Sequence, residues 1–430
     1  MIAARTKHNS ELRHGDKFML YIARSMARPF DLNLRHLRAL PLIAERGSMS
    51  AAAEAIGLSQ PALAQGLAKL EERFGAALFE RLPDGMRATE AGARAIPRIT
   101  DAHARLARAM RPLTRGARRG FERPENLLTA TQVRALLNLA EAGSFVGAAR
   151  ATGVSQPALH RAVRELEGLC GAALAVRQGR GVALTVEGRR LARHFRLAAA
   201  DLAAALEEAE ADGAGTARLA IGAMPLCRAL LLPKAVAAFT RAMPASHVDI
   251  VEGSHAELSE PLRDGRIDLM IGALRDPCPP DFSQVPLFVD RLMIAARAGH
   301  PLAGGTPVSA EDLGRFPWIV GRAGSPLRHH WERLFDAAGL PRPAAPVECG
   351  SVMAIRGILI DSDFLTLVSP DQIALELRAG LLAGVPAALP ATERTIGVTT
   401  RADWQPTLIQ RQFLDILNAV ARESKIPEIG

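Results

Sequence analysis

Short alanine-rich helical patterns closed by glycine fill much of the first half of the chain, whereas from Thr216 onward apolar runs of strand type alternate with helical stretches. In the first half, Ser50 to Ile56 and Val146 to Thr152 read as short helices stopped by Gly57 and Gly153, the residue type that best tolerates a left-handed turn. Ser59 and Ser155 then stand as N-caps of a second helix. Its early proline, Pro61 or Pro157, costs little because first-turn N–H groups lack helical partners. Arg81 to Thr89 and Arg177 to Thr185, with Gly85 in one and Gly179 and Gly181 in the other, predict a two-stranded wing. Helix, tight turn, capped helix and wing together make a winged helix-turn-helix arrangement.

The arrangement is written twice. Gly47 to Leu63 recurs as Gly143 to Leu159 at a constant offset of 96, without a gap. The register persists downstream, where Leu70-Glu71 matches Leu166-Glu167, Gly75 to Leu78 matches Gly171 to Leu174, Arg81 matches Arg177 and Thr89 matches Thr185. After the second copy, Gly188 to Ala211 has few helix breakers and reads as one long amphipathic helix.

In the second half, strand-type runs at Ala217 to Ala223, His247 to Gly253 and Ile267 to Leu274 are separated by helical patterns ending at Thr240 and Arg263. Trp318 to Gly321, a helix through Ala338, Pro346 to Gly350, a helix to Ile360 and Phe364 to Ser369 repeat the alternation. Alternation of this kind predicts βαβ units with parallel strands, in two lobes with a ligand cleft between them.

The order Ala-Ala, Gly, Ser-Gln-Pro-Ala, Leu-Glu, Gly, Leu-Phe-x-Arg and Thr-x-x-Gly resembles the winged helix-turn-helix of the LysR-type transcriptional regulators. It is found twice at this spacing, except that the Phe, present as Phe79, is replaced by Ala175 in the second copy. The second half resembles their effector domain, a fold shared with periplasmic binding proteins. The resemblance implies an α/β multidomain chain made of 32–110, a first winged helix-turn-helix; 111–126, a basic linker; 127–187, a second winged helix-turn-helix; 188–212, a linker helix that pairs two subunits; and 216–422, a two-lobed effector domain. It also implies double-stranded DNA and a small-molecule effector as partners, in a homodimer or homotetramer. Family members carry one DNA-binding module, so the second copy is a departure.

Charge fits that reading. Of the net +8, the chain up to Ala214 carries 32 lysines and arginines against 22 acids, and the remainder 21 against 23. The basic character belongs to the half with the repeat, as in a polyanion binder joined to a domain with another task. Affinity for DNA comes mainly from phosphates and specificity from base edges. The candidate contacts are Ser59, Gln60, Gln65, Lys69, Arg81 and Arg87 in the first copy, and Ser155, Gln156, His160, Arg161, Arg164, Arg177 and Arg180 in the second. The second copy is expected to contribute more base contact, because the first places Gly66 mid-helix and Pro41 in its leading helix. A bland alternative makes one copy a packing element only.

Ligands of α/β sheets sit beyond the carboxyl ends of strands. That rule points to Ala223, Met224, Pro225, Ser254, Leu274, Arg322, Ser325 and Ser351. Gly324-Ser325-Pro326 leads into a helix whose free N–H groups suit an anionic oxygen, with Arg322 adding charge. A sugar, a sugar acid and an aromatic carboxylate all remain open as effector.

Other functions fare worse. His329-His330 and Glu332 suggest a metal site, but adjacent histidines on a helix point about 100° apart and no third ligand is apparent. No phosphate-binding glycine loop or nucleophile elbow occurs either, so neither catalysis nor a cofactor is expected. Four scattered cysteines read as buried small hydrophobes in a reducing cytosol. A transport solute-binding protein would need export, and no signal peptide or membrane span is legible; a cytoplasmic location is expected, with Met26 a candidate start. A ligand-independent architectural DNA binder stays open.

Overall fold

The computed structural model describes residues 28–114, 123–179, 181–209, 218–389 and 392–423. Met26, Arg180, 115–122 of the basic linker and the 212–215 hinge lie outside the described residues. The chain divides into two units, Met1–Gly215 and Thr216–Gly430.

In the first unit the leading helix of copy one is split into α1 (Leu34–Leu37) and α2 (Ala39–Arg46), whereas its counterpart in copy two is continuous. Pro41 is the reason: it has no N–H for the carbonyl of Leu37 one turn back, and Leu137 stands at its place in copy two. Helices α3 (Met49–Ala55) and α4 (Gln60–Phe74) follow, then the antiparallel wing of β1 (Phe79–Leu82) and β2 (Gly85–Ala88), and a long helix α5 (Glu90–Thr114). Copy two repeats them as α6 (Ala130–Ala142), α7 (Phe145–Thr152), α8 (Gln156–Cys170), β3 (Ala175–Gln178), β4 (Gly181–Leu184) and α9 (Val186–Ala209).

Each repeated motif residue has a structural task. Ser59 and Ser155 accept the N–H of Ala62 and Ala158, both at 3.4 Å. Glu71 accepts the N–H groups of Leu78 and Phe79, and Glu167 those of Leu174 and Ala175, so the glutamate of each Leu-Glu pair holds the root of its wing. Thr89 and Thr185 cap the long helices by accepting from Gly92 and Gly188. A Cβ on either glycine would lie 2.1 or 2.0 Å from the carbonyl oxygen of Leu78 or Leu174, which is why only glycine fits.

The sequence assigned 188–212 to pairing between subunits. Within this chain α9 packs along α5, and Leu106, Met110, Phe195 and Leu202 join one core with both modules.

The second unit has two lobes. The first holds β5 (Arg218–Ala223), β6 (His247–Glu252), β7 (Leu269–Ala273), β8 (Phe282–Asp290) and β14 (Arg394–Arg401) in a five-stranded sheet of order β6-β5-β7-β14-β8. It is flanked by α10 (Leu231–Ala242), α11 (His255–Arg263) and α16 (Leu408–Glu423), with Phe239 edge-on to Phe413 in its core. The other holds β9 (Met293–Arg297), β10 (Trp318–Val320), β11 (Val347–Glu348), β12 (Leu365–Val368) and β13 (Leu382–Val385), ordered β11-β10-β12-β9-β13. Its helices include α12 (Ala310–Leu313), α13 (Pro326–Ala337), α14 (Val352–Ile360) and α15 (Ala374–Arg378), around Trp318, Trp331 and Phe335.

The expected parallel βαβ units are present in both lobes, and further strands join each sheet antiparallel. β5, β6 and β7 are parallel, as are β10, β11 and β12, but β14 runs antiparallel to β7 and β8, and β9 antiparallel to β12 and β13. The chain crosses between lobes twice, from β8 into β9 and from β13 to β14, and each returning stretch adds antiparallel strands. Of the cysteines, Cys170 and Cys227 are buried as expected, but Cys278 is exposed and Cys349 half-buried.

Candidate nucleic-acid interface and ligand cleft

Burial sorts α4 and α8 into two faces. Leu63, Leu67, Leu70 and Phe74 are buried in the first, and Leu159, Ala162, Val163, Leu166 and Cys170 in the second. The opposite faces leave Ser59, Gln60, Gln65 and Lys69, and Ser155, Gln156, His160, Arg161 and Arg164, exposed. Arg81, Arg87 and Arg177 are exposed on the wings. All the DNA-contact candidates within the described residues are therefore solvent-facing, although His160 also packs on the core residue Phe145.

Their immediate partners differ between copies. Gln60 accepts from the Ser50 hydroxyl at 3.0 Å, whereas Val146 stands at Ser50's place opposite Gln156. The His160 ring stacks on Phe145 with centroids 3.6 Å apart. Arg164 lies 3.8 Å from Glu167, and Arg87 pairs with Glu80 at 2.8 Å. Both arginines of these pairs are exposed, and such pairs are weak and exchange readily for other anions.

Gly66, read from sequence as a weakness of copy one, is closely covered by a side chain there. A Cβ on it would lie 2.6 Å from the His36 ring. Burial first, with the neighbouring charges of Arg35 and Lys69, holds the His36 pKa below its ordinary value.

In the second unit, three of the sequence candidates are helix N-caps at turns following strands. Ser254, Ser325 and Ser351 accept the N–H groups of Glu257, Arg328 and Ala354. Their oxygens are engaged; Ser325 and Ser351 can still offer a ligand their hydroxyl protons, whereas the Ser254 side chain also hydrogen-bonds the Glu257 carboxylate. Arg322 and Pro225 are exposed, and Leu274 is half-buried.

Two candidates are corrected. Ala223 is 0% exposed and Met224 5%, because Met224 packs over Gly272, where a Cβ would lie 2.3 Å from its methyl group. Both belong to the core beneath the turn.

Residues missed in the sequence gather where the lobes join. Asp290, at the end of β8, accepts from the Ser369 hydroxyl at 2.6 Å and from Arg394 at 2.8 Å. The Gln372 amide donates to the carbonyl of Pro225 at 3.5 Å, tying the two lobes. Burial first, then the nearby Asp290 carboxylate, pushes the Asp371 carboxyl up to about 6, against the pull of Lys234. Glu257 of the first lobe is held below the ordinary carboxylate range by hydrogen bonds from Ser254, with a smaller contribution from Arg322 of the other lobe. No periodicity could have shown this cluster, whose members lie far apart in sequence.

A protein with two such exposed helices, two wings and a two-lobed α/β unit has the architecture of a bacterial regulator. Residues 212–422 match the LysR substrate binding domain, and residues 34–93 and 130–189 each match the bacterial regulatory helix-turn-helix of the lysR family. The HTH-type transcriptional regulator GalR of Pseudomonas putida is 36% identical over 383 residues, covering 86% of this chain and 92% of that protein. The HTH-type transcriptional regulator PcaQ of Agrobacterium fabrum is 30% identical over 293 residues, covering 94% of that protein but 68% of this chain. A full-length OxyR variant from Pseudomonas aeruginosa shares the fold, with a TM-score of 0.54 over 69% of this chain and 95% of that chain at 24% identity.

The chain belongs to the LysR family: it is a DNA-binding transcriptional regulator with an effector-binding domain, and not an enzyme. Among the described residues no helix is long and apolar enough to cross a membrane.

Proposed function

We propose that this chain is a cytoplasmic, sequence-specific regulator that reads double-stranded DNA with both α4 and α8, at Gln60, Gln65 and Lys69 and at Gln156, Arg161 and Arg164, while Arg81, Arg87 and Arg177 hold phosphates. The observation that supports it is the clean division of both helices, with the apolar residues of the register buried and every candidate contact exposed. Gln and Arg pair bidentately with adenine and guanine in the major groove.

The second unit, 216–422, takes a small effector, a sugar, a sugar acid or an aromatic carboxylate, between its lobes. Ser325 and Ser351 supply hydroxyl donors and Arg322 one positive charge. Binding draws the lobes together about the two crossings. Because α5 and α9 are already paired within the chain, a homodimer or homotetramer would form through other surfaces.

The test is footprinting of the purified full-length chain on the DNA upstream of its own coding region, comparing wild type with Gln65→Ala and Arg161→Ala. Graded loss of protection in both variants is the expected result. Loss in only one would make the other module a packing element, and no protection at all would overturn the reading.

A further inference from the structure

The two modules are joined by contacts that recur when the copies are exchanged. Arg38 of copy one donates to the carbonyl of Asn126 at 3.4 Å, in the 3-10 turn Pro124–Leu127 that opens copy two. Arg134, 96 residues after Arg38, donates to Asp31 at 2.6 Å, in the matching turn Arg28–Asp31 that opens copy one. Each turn also packs on the long helix of the other copy, and the rear of each second helix, α4 or α8, packs on the other copy's long helix. Reciprocal contacts of this kind define a two-fold relation between the modules.

The axis is marked by one pair. Arg105 on α5 and Asp201 on α9 are the same position, 96 residues apart, and they meet each other at 2.5 Å. Two turns toward the start of α5, Arg98 meets Glu208, two turns toward the end of α9, at 2.7 Å. The helices are therefore antiparallel, crossing at equivalent residues. An interface between identical modules would set Arg105 against Arg105 or Asp201 against Asp201; only a first copy against a second makes the attraction.

We infer that the two modules, within 28–114 and 123–209, form a pre-assembled reading head in which one chain presents α4 and α8 to two inverted, unequal half-sites at fixed spacing. The inference rests on the reading that both helices contact DNA. Two-fold protein symmetry is mirrored as inverted half-sites, and inequality follows from the exposed faces. Gln60 and Gln156 correspond, but Gln65 corresponds to Arg161 and Lys69 to Glu165. The base met by residue 65 is adenine on one arm, and the base met by residue 161 is guanine on the other.

The test is selection of sites from a random duplex library by the full-length chain, followed by binding to defined duplexes. The expected consensus is an inverted pair of unlike arms with one spacing. Gln65→Arg should make the arms alike at the base met by residue 65, and inserting five base pairs between them, about half a helical turn, should weaken binding at least about tenfold. Arg105→Asp should relax the spacing requirement, and Arg105→Asp combined with Asp201→Arg should restore it, which separates loss of pairing from loss of folding. A direct repeat, a single arm, a perfect palindrome for wild type, or indifference to the insertion would overturn the inference while leaving DNA reading intact. Failure to enrich any sequence would instead overturn the reading on which it rests.

Discussion

Arg98 and Glu208 pair between the two long helices of one chain with their side chains only 8% and 9% exposed. A buried ion pair of this kind adds little net stability against an apolar pair of equal volume, yet removing one partner strands the other charge. Arg98→Ala, which removes the guanidinium paired with the buried Glu208 carboxylate, is therefore expected to cost about 3–5 kcal/mol. Arg98→Met combined with Glu208→Leu should lose far less. Urea unfolding followed by far-UV circular dichroism of the full chain distinguishes the two; equal losses would show that the cost is not that of an unpaired charge.

Gly66 and Gly168 give opposite expectations for the same substitution. Alanine in a helix usually gains up to about 1 kcal/mol over glycine. At Gly168 in α8 an added Cβ meets nothing within 4 Å, so Gly168→Ala should stabilise by roughly 0.5–1 kcal/mol. At Gly66 the Cβ would press into the His36 ring, and Gly66→Ala should destabilise by about 1–3 kcal/mol. Thermal melts of both variants check the difference in sign, and a stabilised Gly66→Ala would mean that His36 moves aside freely.

Much of the first unit was legible in the chain because its signals are local. Ser59, Ser155, Gly57, Gly153, Thr89 and Thr185 each act within a few residues of themselves, and the offset of 96 made the second copy a check on the first. The partner of α9 was not legible. Periodicity shows that a helix has a buried face but not which chain covers it, and beyond Gly92 and Gly188 the copies diverge at the pairing positions, with Arg98 against His194 and Pro112 against Glu208. The cover over Gly66 was not legible for a related reason, since its partner His36 lies on another helix.

In the second unit the parallel strands were readable from their helix-separated runs, while β8, β9, β13 and β14 were not. β8 contains Pro286 opposite Gly397, at an irregularity in its pairing with β14, and that breaks the alternation a strand normally shows. Among the cleft candidates, the cap serines were recoverable from the turn signal. The burial of Ala223 and Met224 was not, since it depends on Gly272 in a neighbouring strand.

Asp371 gives the second unit a pH signature. Its carboxyl is raised from 3.8 to about 6, so between these values the folded chain holds a proton that the unfolded chain has released. Stability therefore falls as pH rises through roughly 4 to 6 and stays lower above. Asp371→Asn should flatten this slope and stabilise the unit above pH 6 by on the order of 1 kcal/mol, a figure reduced for partial exposure. Unfolding midpoints from pH 4 to 8 for wild type and variant test it; an unchanged slope would remove Asp371 as its source.

The salt dependence of DNA binding tests the central claim, that both modules of one chain engage DNA, most directly. Arg81 and Arg177 are equivalent wing residues, both exposed. Each phosphate contact contributes about 0.9 to the slope of log K against log salt concentration. Arg81→Ala and Arg177→Ala should each lower the slope by about one and the double variant by about two. A slope that responds to only one of the two would contradict the claim and leave a single reading module.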